Sequence, residues 1–170
     1  VVSPLEAFVM FTRGNMDVYC KILKPQDSQK YRELRLESLR LYPEAFGSDY
    51  KTQSQLPKLF FEQMIEKESN DHIMLGAFYN NELVGLCGLL SLEQSHSLEL
   101  VQMYVSPNVR GKSIGQTLLT EAKSVLQDRN GDRLELTVYK GNLAAIKSYE
   151  KFGFIRVASQ LKEIVMHFKL

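Results

Sequence analysis

Little in this chain is lopsided, and that removes several classes of protein at once. Its 21 Lys and Arg residues nearly balance 20 Asp and Glu, leaving a net charge of +1. A protein that grips a phosphodiester backbone carries a basic patch or stripe, so no nucleic-acid partner is expected. No run of about eighteen apolar residues exists, so no segment is suited to spanning a bilayer and no membrane partner is expected. There are only two cysteines, Cys20 and Cys87. Both fall in apolar, strand-like runs outside any CxxC or Cys/His pattern. They read as buried, reduced thiols, which suits a cytoplasmic protein. His72, His96 and His167 show no ligand spacing, and no metal is expected.

Residues 1–15 lack a basic leader and contain Pro4 and Glu6, which makes a poor signal peptide. Met16 directly precedes the first strand-like run, so residues 1–15 read as a leader or a genuine extension. Residues 16–170 then form one domain, long enough for a substantial core. No internal repeat, low-complexity run or interdomain linker divides it.

The patterning alternates between two periods. Tyr19 to Leu23 is a short strand, and Asp27 a candidate cap for a helix whose Tyr31, Leu34, Ser38 and Leu41 recur at helical spacing. Tyr42-Pro43 ends that helix, because proline disfavours helical geometry in the residue before it. Leu56, Phe60 and Met64 mark a second helix, widened by Phe61 and Ile65. His72–Tyr79 and Glu82–Ser91 flank Asn80-Asn81 and predict an antiparallel hairpin. Leu98–Val105 adds a third strand to that meander. A helix follows, stopped by Asn130-Gly131, then a strand over Leu134–Val138 and a helix over Asn142–Phe152 closed by Gly153. Phe154–Ala158 and Ile164–Phe168 form a last hairpin. Interleaved helices around a meander demand a mixed sheet, so the expected fold class is α/β (α+β).

The stretch from Leu98 to Leu126 carries the chemistry. A strand runs into a short loop, Ser106 to Ser113, which opens into an amphipathic helix. Such a helix start leaves backbone N–H groups unpaired and carries partial positive charge, so it attracts a phosphate. Gly111-Lys112-Ser113 suggests a nucleotide P-loop, but the first glycine of GxxxxGK[ST] would fall at position 106, which is Ser106. A dinucleotide GxGxxG is absent.

Arg110-Gly111-Lys112-Ser113-Ile114-Gly115 instead resembles the R/Q-x-x-G-x-G/A signature of the GNAT superfamily of N-acetyltransferases, departing from it at Ser113. Asn142 to Phe154 resembles the family's second signature, N-x-x-A-x-x-x-Y-x-x-x-G-F. The resemblance extends from about Asp17 to Leu170. It implies a mostly antiparallel sheet with one diverging parallel strand pair and helices on both faces. It also implies acetyl-CoA as co-substrate and a small-molecule, peptide or protein amine as acceptor. Carried over residue by residue, Met103, Tyr104 and Val105 would bind the pantetheine arm through their backbone. The amides of Arg110, Gly111, Lys112, Ser113, Ile114 and Gly115 would hold the pyrophosphate, with Ser113 small enough to cap the helix. Asn142 would contact the cofactor, and Tyr149 would protonate the departing sulfur.

Glu99 interrupts an apolar run in the preceding strand, where burial would raise its pKa toward that of a general base. A water relay is the alternative base. The loop from Tyr42 to Ser48 would wall the acceptor, with Glu44 or Asp49 attracting a cationic amine. Family members are often dimers, which admits a homodimer here. The rival reading is a non-catalytic acyl-CoA-binding domain on the same fold.

Overall fold

The structure, a computed structural model, describes residues 18–170, so the expected extension over 1–15 lies outside it. Among the described residues, seven strands form one sheet in the order β1-β2-β3-β4-β5-β7-β6. They are β1 (Val18–Ile22), β2 (His72–Tyr79), β3 (Glu82–Ser91), β4 (Ser97–Val105), β5 (Arg133–Tyr139), β6 (Ile155–Ser159) and β7 (Glu163–Lys169). Among the described residues only β4 and β5 run parallel, and every other pair is antiparallel. This is the mixed sheet expected from the sequence. The β2–β3 hairpin turns on Asn80 and Asn81 at φ of 49° and 63°, as a two-residue turn that matches strand twist requires.

One face of the sheet is covered by α4 (Ile114–Asp128) and α5 (Leu143–Phe152), the other by α1 (Ser28–Leu41) and α3 (Phe60–Glu66). Ile114, Leu118, Leu119, Ala122 and Leu126 of α4 are all buried, a stripe at helical spacing packed on Leu75, Leu89, Leu98 and Leu100. Each fully buried leucine contributes about 1.5–3 kcal/mol. Tyr31 and Leu34 of α1 and Phe61 and Ile65 of α3 form the second core with Met74, Leu86 and Tyr104.

Two expectations of face need correction. Leu41 is exposed, and Leu39 fills the core in its place. In α3 the buried side is Phe61, Glu62 and Ile65, while Phe60 is half exposed. Glu62 decides this rotation. It accepts from the Leu59 N–H at 2.9 Å and from Arg32 Nη1 at 2.6 Å, so a buried carboxylate is satisfied by backbone and cation together. The polar stretch after Pro43 also holds a short helix, α2 (Tyr50–Ser54), capped by Asp49.

Two irregularities in β4 shape everything that follows. The parallel pairing with β5 covers only Ser97↔Arg133, Leu98↔Leu134 and Glu99↔Glu135. From Leu100 onward β4 has lost its β5 neighbour and the sheet is split. On its other side, Gly88 pairs with Val101 and Leu86 with Tyr104, so Gln102 and Met103 stand opposite the single residue Cys87. This is a β-bulge, and Gln102 absorbs it at φ 55°. The extra residue resets the alternation: Leu98, Leu100, Met103 and Val105 pack on the α4 side, Val101 and Tyr104 on the α1 side.

Candidate active site

The loop between β4 and α4 begins with a 3-10 turn, Pro107–Val109, and reaches the helix through two residues of positive φ, Gly111 at 82° and Ser113 at 60°. Ser113 occupies the N-cap position, but its side chain makes no cap hydrogen bond, contrary to the expected role. Its left-handed backbone is the reason. An N-cap serine normally has extended φ/ψ, which brings its hydroxyl over the first helical N–H groups. Ser113 instead substitutes conformationally for a glycine. The first backbone bond of α4 runs from Thr117 N–H to the Ser113 carbonyl at 3.0 Å, leaving Ile114, Gly115 and Gln116 N–H without an intrahelical acceptor.

A cleft of about 490 Å³ opens at these groups, between the loop and α5. Its wall carries the basic side chains Arg110, Lys147 and Lys151 and no acidic one. Gln116 joins the two walls, donating through Nε2 to the Ser148 carbonyl at 3.0 Å and hydroxyl at 3.1 Å. Free helix N–H groups and three cations around an open cleft fit a ligand carrying several phosphates. Lys147, Ser148, Lys151 and Gln116 were missed in the sequence. The signal was there as a four-residue spacing of the two lysines on the helix that also carries Asn142 and Tyr149.

The other expected site residues divide between the two faces of β4. Met103 and Val105 lie toward α4 and α5, partly buried. Tyr104 turns the other way and is buried, its hydroxyl donating to Glu37 Oε2 at 2.8 Å. Ser106 donates to the same oxygen at 3.2 Å, so α1 clamps the end of β4. Arg110 lies over the Tyr42 ring at 4.9 Å, and Lys112 over the Tyr79 ring at 5.1 Å. Asn142 caps α5, its Oδ1 accepting from Ala145 N–H at 3.3 Å, which leaves its amide donors for other partners.

Tyr149 is buried on the α4 side against Phe154, with ring centroids 5.6 Å apart. Burial, with a further contribution from the Cys87 thiol, holds its hydroxyl above the ordinary phenol range. Cys87, whose thiol acts on the Tyr149 hydroxyl, stands opposite the bulge at Gln102 and Met103. Cys87 is itself a buried free thiol pushed upward by desolvation, while Cys20 is half-buried and raised to about 12.

Glu99 projects to the opposite face, as does Glu135 beside it. It is half-buried, and desolvation followed by the charge of Glu135 raises its pKa. Glu135 in turn contacts Arg133 at 3.2 Å and His167 at 3.5 Å. Glu99 therefore stands where β4 and β5 part, across the sheet from Tyr149 and about 7–10 Å of strand before the bulge. The split brings the loop, the bulge and Tyr149 together and leaves Glu99 at its apex.

The sequence profile of the Acetyltransferase (GNAT) family matches residues 31–154, from within α1 to just past α5. The chain belongs to that family. Among curated relatives, the spermidine N(1)-acetyltransferase of Thermoplasma acidophilum is 26% identical over 145 residues, which are 82% of this chain and 89% of the relative. The crystal structure of the PaiA N-acetyltransferase of Thermoplasma acidophilum in complex with coenzyme A superposes with a TM-score of 0.76 at 25% identity, covering 91% of this chain and all of the other. A GNAT-family acetyltransferase from Streptococcus pneumoniae shares the fold with a TM-score of 0.78 at 22% identity, over 91% of this chain and 99% of that one. This GNAT protein is an N-acetyltransferase, taking its acetyl group from acetyl-CoA and delivering it to an amine.

Proposed function

We propose that residues 16–170 form a single cytoplasmic acetyltransferase domain that acetylates a primary amine by direct attack. In this reading the donor is held at the start of α4 and the acceptor enters from the α1 face. The observation that carries the reading is the split after Glu99: a phosphate-seeking cleft opens on one side of it and α1 with the Tyr42–Ser48 loop on the other.

Bound acetyl-CoA supplies an acetyl group already activated as a thioester. The amides from Arg110 to Gly115 neutralise its pyrophosphate, helped by Arg110, Lys112, Lys147 and Lys151. Asn142 adds a side-chain contact. Backbone groups of Met103, Tyr104 and Val105, released from sheet pairing on the β5 side, hydrogen-bond the pantetheine arm and the acetyl carbonyl. Tyr149 keeps its proton at neutral pH and donates it to the sulfur as that group departs. Glu99 takes a proton from the acceptor amine; its position at the apex, on the α1 side, favours relay through a water over direct contact.

Thiol release from acetyl-CoA over a panel of amines, with products read by mass spectrometry, tests the proposal. It is sustained by acetylated product with at least one primary amine. Coenzyme A binding without product from any amine would sink it.

A further inference from the structure

Arg35 has no place in the scheme above, yet part of its buried charge is left without a partner. It lies on α1, one turn beyond Tyr31, and is 6% exposed. Its Nη1 is buried with no hydrogen-bond partner among the described residues. An uncompensated buried charge is costly, and native proteins rarely keep one without a partner.

Its position is well fixed. Tyr31, a turn before it, donates to Gln102 Oε1 on the bulge, and Glu37, two residues after it, holds Tyr104 and Ser106. Arg35 is thus pinned beside the C-terminal half of β4, the half without a β5 neighbour. The Phe46 ring lies 4.9 Å from its guanidinium carbon and 6.4 Å, edge-on, from the Tyr104 ring. A ring over the guanidinium face leaves the in-plane N–H groups free to donate, and Nη1 is the one that still needs an acceptor.

None of the nearby carboxylates serves. Glu37 is engaged by Tyr104 and Ser106, and Glu62 by Arg32 and the Leu59 N–H. Asp49, expected to attract an amine, accepts from Thr52 N–H and Oγ1, both at 2.9 Å, and is exposed. Glu44 is exposed as well. Among the described residues, the buried charge on the acceptor side that is left without a partner is therefore that of Arg35.

We infer that Arg35 receives a carboxylate of the acceptor, so that the substrate is an amine whose own molecule carries a carboxylate, an amino acid being the smallest case. The inference rests on the proposed direction of acceptor entry. A planar guanidinium fork matches a carboxylate in two parallel hydrogen bonds, which orients the amine as well as binding it. A polycation such as spermidine leaves the guanidinium unpaired and adds repulsion beside it, so the acceptor differs from that named for the Thermoplasma acidophilum relative.

The test compares kcat/KM for each of the twenty amino acids, the corresponding amino-acid amides and spermidine, using wild type and Arg35→Met. Methionine keeps most of the volume and removes the charge. The expected result is turnover of at least one amino acid, a loss of about 30-fold or more on its amide, and a similar loss in Arg35→Met carried by KM. The melting temperature of Arg35→Met should stay level or rise, because relief of the buried charge offsets the lost contact with the Phe46 ring and no hydrogen bond of Nη1 is lost.

Equal turnover of acid and amide, preference for spermidine, or an Arg35→Met variant with unchanged kinetics overturns the inference while leaving the transferase reading intact. If no amine is acetylated, that reading fails. Calorimetric titration of N-acetyl amino acids into the coenzyme A-loaded protein then decides on Arg35: binding by wild type but not by Arg35→Met supports it, and binding by neither overturns it.

Discussion

Tyr31 donates to Gln102 Oε1 at 2.7 Å across 71 positions of sequence, joining the first helix to the bulge in β4. The bond holds a non-glycine residue at φ 55° in the part of β4 that has left β5, with Tyr149 packed in the core on the other face of the sheet. It is the point at which fold and site meet. Tyr31 is fully buried, and burial holds its hydroxyl protonated as the donor.

Tyr31→Phe removes the donor and leaves the Gln102 amide oxygen unpaired. We expect a loss of about 1–3 kcal/mol in urea denaturation. The bulge also loses its tether, so KM for acetyl-CoA should rise in the same variant. A variant that loses stability with unchanged KM would separate the bulge from donor binding.

The left-handed backbone at position 113 predicts an ordering of substitutions. Ser113→Gly should leave KM for acetyl-CoA unchanged and shift stability by no more than about 1 kcal/mol, since gain in backbone freedom offsets unfolded-state entropy. Ser113→Val places a β-branched side chain at φ 60° and should cost about 1–2 kcal/mol and raise KM. Equal behaviour of the glycine and valine variants in steady-state kinetics would show that this conformation is not needed for binding.

Lys147→Ala with Lys151→Ala should raise KM for acetyl-CoA about 10-fold while kcat holds, because both lysines are exposed on the cleft wall while Tyr149 is buried. The defect should shrink as salt is added to wild type and variant alike. A kcat effect of the same size would place these lysines in the chemical step.

Tyr149→Phe should keep the fold and coenzyme A binding and lower kcat by about 10²-fold or more. Burial raises the tyrosine, so it retains its proton through the usual assay range and should add no alkaline limb to the kcat profile. An alkaline limb that vanishes in Tyr149→Phe would contradict that.

For Glu99 the pH dependence has a definite sign. Its folded pKa is raised above the unfolded one, so its contribution to stability is complete below the unfolded value of 4.5 and is lost as pH rises through the folded value. Glu99→Gln should therefore be more stable than wild type at neutral pH, with little difference in mild acid. Activity should run the opposite way: kcat/KM of wild type climbs with pH through the raised pKa, and the variant's profile is flat and low. Chemical denaturation and initial rates from mild acid to neutrality measure both.

Much of the fold was legible because period and punctuation agree. His72–Tyr79 and Glu82–Ser91 appear as the sequence implies, since two strand-like runs flank a turn that only residues tolerant of positive φ can make. The α4 helix and its loop were legible for the same reason. The face of α3 was not, because Phe60, Phe61, Met64 and Ile65 permit two orientations and a buried Glu62–Arg32 contact selects one. Lys147 and Lys151 read as ordinary solvated lysines until the cleft wall gave them a common target.

By itself the sequence determined the strand and helix order, the phosphate-seeking helix start and the family, because these reside in local spacing and in two contiguous signatures. Only the tertiary structure decided where β4 leaves β5, which residue bulges, on which face each side chain lands, and that Arg35 is buried with no counter-charge among the described residues. Those outcomes depend on contacts between residues far apart in the chain. Register, burial and charge compensation exist only once such residues have been brought together.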